Sequence, residues 1–171
     1  MTQILQENSG RKSLVERVLS VFSEVRQGEG AGVLLLALNV FLLLGSYYLL
    51  KTVREALILS EGGAEVKSYS AAGQALLLLA IVPAYGAFAS RVSRVKLITR
   101  VTLIFISNLV LFYAFGAAGA REGVVFFLWV GIFNVLIIAQ FWSFANDLYS
   151  EPQGKRLFPL IALGGALGAV A

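Results

Sequence analysis

The dominant pattern in this sequence is a series of long apolar runs separated by short polar connections. Each complete run is about as long as the ~20 residues that an α-helix needs to cross the hydrocarbon core of a bilayer. Charged residues make up only 14% of the chain, against about 25% in ordinary soluble domains. We therefore predict an all-α integral membrane protein. Its transmembrane helices are predicted at 31–59, 69–90, 97–118 and 124–146, followed by the start of a fifth at 157–171.

The basic residues give these helices a predicted orientation. Ten Lys and Arg fall in the N-terminal segment and in the second and fourth connections, counting Arg100 with the second. Only Lys67 and Arg121 fall in the first and third connections. Because loops on the cytoplasmic side are enriched in Lys and Arg, residues 1–30 are predicted to be cytoplasmic.

The cytoplasmic segment contains an amphipathic pattern at residues 13–27, SLVERVLSVFSEVRQ. At helical spacing the apolar face holds Val15, Val18, Phe22 and Val25, and the polar face holds Glu16, Arg17, Ser20, Glu24 and Arg26. Such a helix either lies on the membrane surface or packs against a further domain of a longer protein. Both interpretations fit the pattern.

Composition argues against several functional classes. The chain has no Cys and no His, so thiol nucleophiles, His-based acid–base chemistry and Cys or His metal sites are excluded. We expect neither an enzyme nor a bound metal or cofactor. The net charge of +4 is spread between apolar runs rather than gathered in one basic patch with aromatic residues, so we expect no nucleic-acid partner.

Three charged residues lie inside the first predicted helix, in the stretch YYLLKTVREALIL. If the span ends at Leu50, then Lys51, Arg54 and Glu55 lie at the membrane interface, where long basic side chains can reach water. If the span continues to Leu59, the three charges face a water-filled cavity. Spacing alone leaves both interpretations open.

On the cavity interpretation the charges form a binding site. Tyr47, Lys51, Arg54 and Ile58 share one helical face, and Glu55 lies one turn from Lys51 and can pair with it. One carboxylate cannot neutralise two cations, so an anionic ligand is expected. Arg offers a planar donor fork for phosphate or carboxylate, and Lys adds a mobile point charge. Tyr47 either stacks on a ligand base or belongs to an interfacial aromatic belt.

The fourth predicted helix and the connection after it supply further polar residues. Asn134 and Gln140 are six residues apart and point to different faces, so at least one should bond a neighbouring helix. Asp147, Lys155 and Arg156 lie in the cytoplasmic connection, where they either form gate contacts or are simply solvated. Glycines recur inside the runs, including Gly73, Gly164 and Gly168, and we expect them to allow close helix packing.

Two stretches carry a family resemblance: LLKTVREALILSEGGAEV at 49–66 and FWSFANDLYSEPQGKRLFPLIALGG at 141–165. They resemble the ATP/ADP translocases of intracellular bacteria and plastids, which are related to the major facilitator superfamily. The resemblance implies a bundle of about twelve helices in the bacterial inner membrane, of which this chain would be the N-terminal part. It implies nucleotide exchange by alternating access, with ATP and ADP as substrates and with Lys51, Arg54, Glu55, Tyr47 and Asn134 at the binding site.

The chain also differs from the family pattern. The family's first-span lysine and its neighbouring arginine fall on Arg54 and Lys51, so the two basic residue types are exchanged. The family's acidic residue in the fourth span has no counterpart between Val124 and Gln140. Another phosphorylated or anionic metabolite is therefore a possible substrate. The alternatives are a proton-coupled facilitator that uses Glu55, a membrane-embedded sensor or scaffold that transports nothing, and an enzyme of lipid or phosphate chemistry.

Overall fold

The computed structural model describes residues 14–21 and 23–170, and helices are the only regular secondary structure in that part of the chain. The five helices are α1 (Leu14–Leu19), α2 (Gly30–Ala89), α3 (Arg94–Ala117), α4 (Gly123–Leu148) and α5 (Glu151–Val170). The described residues form two compact units. The first unit consists of the described residues up to Gly45 together with those from Ala145 onward. The second unit is Ser46–Phe144.

Helix α2 is interrupted at Gly63, which has φ 71° and ψ −174°. A residue with a side chain would be strained at this positive φ. Its neighbour Gly62 leaves too little room for a side chain, since a Cβ there would lie 2.7 Å from Cβ of Val66. The predicted loop of residues 60–68 is thus compressed into a glycine break between a first arm, residues 30–62, and a second arm, residues 64–89.

Contacts with α4 show that the chain reverses direction at this break. Along the first arm, Leu57 lies beside Gly123 and Arg54 beside Phe127, so this arm runs antiparallel to α4. Along the second arm, Gln74 lies beside Gly131 and the Tyr85 hydroxyl meets Gln140, so this arm runs parallel to α4. Within the second unit, α2 is therefore a helical hairpin.

Aromatic side chains hold α3 against α4 in the second unit. Trp129 stacks on Phe126 and Phe133, with ring centroids 5.8 and 5.7 Å apart. Phe105 and Phe112 of α3 meet Trp129 edge-on at 5.5 and 5.3 Å. Edge-to-face contacts at these distances are favourable beyond the apolar area that they bury. Phe105 also meets Phe133 and Phe112 meets Phe126, so α3 runs antiparallel to α4.

The first unit is built on a close approach between α5 and the beginning of α2. A Cβ at Gly164 would overlap the backbone of Ala37, and a Cβ at Gly168 would overlap the backbone of Phe41. The two helices therefore touch through backbone atoms, as small residues permit in membrane bundles. This bears out the packing role expected of Gly164 and Gly168. Gly73 instead faces open space within the described residues.

Helix α5 begins earlier than predicted, at Glu151 rather than at residue 157. Half of a capping box stabilises this start: Gln153 Oε1 accepts hydrogen bonds from the Ser150 backbone N–H at 3.0 Å and from the Ser150 hydroxyl at 2.9 Å. Pro152 follows in the first helical turn, where the missing N–H costs nothing. Lys155 and Arg156 consequently lie on a helix, not in a loop.

The amphipathic helix predicted at 13–27 is wrong in its extent, because α1 ends at Leu19. Residues 23–29 leave the helix to contact α5: the Ser23 hydroxyl donates to the Arg156 carbonyl at 2.6 Å, and Val25 is fully buried. The predicted polar face is also only partly exposed, since Glu16 is buried and accepts a hydrogen bond from the Gly28 N–H at 2.7 Å. Residue 13, residue 22 and the side chain of Val15 lie outside the described parts.

Three helices, α2, α3 and α4, are long and apolar enough to cross a membrane. At 1.5 Å per residue the two arms of α2 are about 50 and about 39 Å long, so each exceeds the ~30 Å hydrocarbon core. Large apolar side chains also remain exposed along these helices, among them Leu35, Leu79 and Val110. The chain has the architecture of an all-helical membrane protein.

Candidate functional site

The charges in the first predicted span lie within a continuous part of α2 rather than at its end. The first arm continues past Lys51 to the break at Gly63. The side chain of Arg54 is only 12% exposed, and its guanidinium carbon lies 4.3 Å from the ring centroid of Phe127 on α4. Arginine stacks well on aromatic faces because its charge is spread over a planar group. Arg54 therefore points into the second unit.

Glu55 connects Arg54 to a cation on the other arm of the hairpin. Glu55 Oε1 accepts from Arg54 Nη2 at 3.1 Å, and Glu55 Oε2 lies 2.5 Å from Lys67 Nζ. We call Arg54, Glu55 and Lys67 the charged trio. Sequence reasoning expected Glu55 to pair with Lys51 instead. The helical hairpin at Gly62–Gly63 brings Lys67 on the second arm back to Glu55 on the first.

The charged trio has more donors than its carboxylate can satisfy. One carboxylate faces two cations, and the Arg54 Nε is buried without a hydrogen-bond partner among the described residues. A buried donor without a partner costs roughly 1–3 kcal/mol. Natural structures rarely leave such groups without a reason, and a missing ligand is one. The trio therefore has donors that a further acceptor could satisfy.

The aromatic residues before Arg54 contact the other predicted cation. Lys51 Nζ lies 5.2 Å from the ring centroid of Tyr48, within cation–π range. The ring of Tyr47 meets Tyr48 edge-on, with centroids 5.3 Å apart. Tyr47, Tyr48 and Lys51 thus form a neighbouring group one helical turn before the charged trio. Lys51 takes no part in the contacts of Glu55.

The two amides of α4 have different surroundings. Asn134 is half-buried and lies seven residues after Phe127, on the same helical face and about 10 Å further along the axis. It takes no part in the contacts of the charged trio. Gln140 is buried, and its Oε1 accepts from the Tyr85 hydroxyl at 3.2 Å. Gln140 therefore provides the helix–helix bond that was expected of one amide.

The predicted gate residues separate into three environments. Asp147 is exposed in the last turn of α4. Lys155 pairs with Glu151 at 2.8 Å, with both side chains largely exposed. Arg156 instead binds Glu29 at the start of α2, at 3.1 Å from Nη2 to Oε1 and 3.3 Å from Nη1 to Oε2. Its guanidinium also donates to the Glu24 carbonyl.

Glu29, Gln153 and Arg156 form what we call the N-terminal ion cluster. Glu29 accepts from the Arg26 N–H at 2.9 Å and from the Gln153 amide at 3.2 Å, in addition to Arg156. Burial alone would raise the pKa of Glu29, but these hydrogen bonds and the Arg156 charge outweigh it and hold the pKa below its usual value. No local pattern predicts Glu29 as a partner of Arg156, because the two residues are 127 positions apart in the chain.

A second polar feature of the second unit lies at the beginning of α4. The Glu61 carboxylate accepts from the backbone N–H groups of Glu122 at 3.3 Å and Gly123 at 2.8 Å. It caps the helix N-terminus, where a negative charge is favourable. Oε2 of Glu122 is buried without a hydrogen-bond partner within the described chain. Glu122 also lines two mainly apolar pockets of about 330 and 350 Å³ beside α3.

Comparison with family models, curated proteins and solved structures finds no match to this chain.

Proposed function

We propose that this protein is a membrane transporter of the ATP:ADP exchange type, which moves nucleotides or related phosphorylated anions by alternating access. The proposal depends chiefly on one observation: Arg54 is a largely buried cation whose Nε has no partner among the described residues. A cation so placed in an apolar helical protein is expected to serve a ligand or an ion pathway. The family resemblance of residues 49–66 and 141–165 supports a phosphorylated ligand.

In this proposal Lys51 and Arg54 attract the phosphate groups and Glu55 orients them. Arg54 offers paired N–H donors that match two phosphate oxygens, whereas Lys51 contributes a point charge. Tyr47 and Asn134 would contact other parts of the ligand. Without an anion, the surplus positive charge resists enclosure in a dry cavity. The empty carrier would therefore reorient slowly, which favours exchange over net flow.

The remaining parts of the proposal concern topology. Positive residues in the N-terminal segment and the second connection support a cytoplasmic N-terminus. The proposed location is the bacterial inner membrane, within a twelve-helix bundle of the major-facilitator type. The N-terminal ion cluster, which includes Arg156, would then lie on the cytoplasmic side and stabilise one end of the first unit.

Exchange is tested with the intact protein, including any sequence that its gene encodes beyond residue 171, in liposomes loaded with unlabelled ADP. We expect uptake of labelled ATP that requires internal ADP and that falls to the level of empty liposomes in Arg54→Ala. The matched control is Arg121→Ala, which removes an exposed cation from the third connection and should leave uptake unchanged. Absence of uptake by correctly folded protein, or equal uptake by wild type and Arg54→Ala, would refute the proposal.

One observation favours a second candidate, proton-coupled transport of an anion. Such a carrier needs a carboxyl group that binds and releases a proton within the helices. Oε2 of Glu122 is buried and has no hydrogen-bond partner in the described part of the chain, which makes this residue a candidate beside Glu55. In that case an imposed pH gradient would drive uptake into liposomes without internal ADP, and Glu122→Gln would abolish the response.

A further inference from the structure

We propose that Lys67 is a further ligand for the anion, beside Lys51 and Arg54, and that Glu55 occupies in the empty site the donors that the anion takes over. This inference rests on the proposed anion site. It adds a cation from the second arm of α2, outside the first predicted helix. It also gives Glu55 a competing role instead of an orienting one.

The position of Lys67 follows from the glycine break. Within the second unit the chain after the break runs antiparallel to residues 46–62, so Lys67 returns to Glu55 and reaches its carboxylate at 2.5 Å. Lys67 remains 39% exposed, so its ammonium group is not enclosed by the protein. A surface ion pair of this kind adds little stability. Breaking the Lys67–Glu55 pair therefore costs little free energy, so Lys67 can exchange Glu55 for a ligand anion.

One carboxylate group is sufficient to bridge the two cations. Its two oxygens contact Arg54 and Lys67 separately, at 3.1 and 2.5 Å. A phosphate or carboxylate group of a ligand also presents two oxygens that charged donors can share. A ligand anion can therefore replace Glu55 at both donors, and it can also reach the Arg54 Nε, which Glu55 leaves without a partner.

Charge selects the class of anion. Lys51, Arg54 and Lys67 oppose the single carboxylate of Glu55, so two positive charges are left over. A ligand with at least two negative charges neutralises this surplus, whereas a monocarboxylate does not. Displacement of Glu55 becomes more favourable as the ligand charge increases, since like charges repel. The site is therefore matched to diphosphate and triphosphate groups.

The test measures the Kd of ATP and of inorganic pyrophosphate for the purified intact protein by titration calorimetry. Lys67→Gln should weaken binding of both about tenfold or more, because it removes a charge-assisted hydrogen bond to the anion. Lys67→Arg should restore most of the affinity. Glu55→Gln should strengthen binding, since it removes the competing charge. The control is Arg121→Gln, which is outside the site and should leave the Kd unchanged.

The outcomes separate this inference from the proposed function. If Lys67→Gln leaves the Kd unchanged while Arg54→Gln weakens binding, Lys67 is only a structural partner of Glu55 and the inference fails. Weaker binding in a folded Glu55→Gln would also overturn it, because a competitor cannot support affinity. If Glu55→Gln does not fold, Glu55→Asp provides the same test, since the shorter carboxylate competes less well. If wild type binds neither probe, the proposed function and the inference fail together.

Discussion

Arg156 in the first unit and Arg54 in the second are both mostly enclosed arginines beside a carboxylate, yet their surroundings differ. Arg156 makes two contacts to Glu29, one to the Glu24 carbonyl, and shares Glu29 with Gln153. Arg54 shares Glu55 with a second cation and has a buried nitrogen without a described partner. The first arrangement is complete and the second is not. Among ion pairs in a membrane protein, unmet donors are a better indication of a ligand site than the number of pairs.

The two units also differ in how closely their glycines are packed. Substitution of a closely packed glycine is expected to change the stability most. Gly168→Ala places a methyl group against the backbone of Phe41, which cannot move aside as a flexible side chain can. We expect the free energy of unfolding to fall by about 3 kcal/mol. The matched control is Gly73→Ala in the second unit, which meets open space and should be neutral or stabilise by up to ~1 kcal/mol. Thermal unfolding in detergent micelles measures both, and equal effects would contradict the packing described for the first unit.

The two arginines provide the next test of the comparison. Arg156→Met leaves the Glu29 carboxylate, only 12% exposed, without its cation, and should destabilise the protein by about 3 kcal/mol. Arg54→Met leaves Glu55 paired with Lys67, so the loss should be about 1 kcal/mol or less. Both substitutions keep an extended side chain and differ only in which cluster they enter. If Arg54→Met destabilised the protein more than Arg156→Met, the distinction between a complete and an incomplete cluster would be wrong.

A smaller effect is expected from acid. The pKa of Glu29 is lower in the folded protein than its usual value near 4.5. Its contribution to stability is therefore complete above that value and is lost as the pH falls through the lowered pKa. The unfolding midpoint of wild type should decrease over that range more steeply than that of Glu29→Gln. If the unfolding midpoints of wild type and Glu29→Gln fell equally with decreasing pH, Glu29 would make no pH-dependent contribution to stability.

The smallest effect is expected at the exposed pair of α5. Lys155 and Glu151 are four residues apart on one helix, with side chains 74% and 80% exposed. Pairs of this kind contribute about 0.3–0.5 kcal/mol. Lys155→Ala should therefore change the unfolding midpoint little, and less still in high salt because exposed charges are screened. A loss as large as that of Arg156→Met would show that Lys155 has a structural role that its exposure does not suggest.

The general architecture was predictable because it depends on local composition. Apolar runs of membrane length predicted an all-α membrane protein, and the structure confirms helices long and apolar enough to cross a bilayer. The charges at Lys51, Arg54 and Glu55 were noticed because they interrupt such a run. Spacing alone also predicted that Lys51 and Arg54 share a helical face with Tyr47 and Ile58.

The partners of these charges were not predictable, because they depend on where the chain turns. The connection at residues 60–68 was expected to be a loop, which separated Lys67 from Glu55. Instead the break is confined to glycine, and Lys67 returns along the hairpin. Similarly, the apolar pattern of 13–27 predicted a longer helix, but burial of Val25 and contacts with Arg156 end it at Leu19. Long-range contacts outweighed local periodicity at both places.

The most direct test of the proposed anion site is ligand-dependent unfolding of the intact protein with the same substitution in each cluster. Wild type, Arg54→Gln and Arg156→Gln are heated with and without ATP. We predict that ATP raises the unfolding midpoint of wild type. At an ATP concentration of one hundred times the Kd, the free energy of unfolding should increase by about 2.7 kcal/mol. Arg156→Gln should start lower and show a similar increase, whereas Arg54→Gln should start near wild type and show none. An equal increase in all three proteins, or no increase in wild type, would contradict the assignment of Arg54 to an anion site.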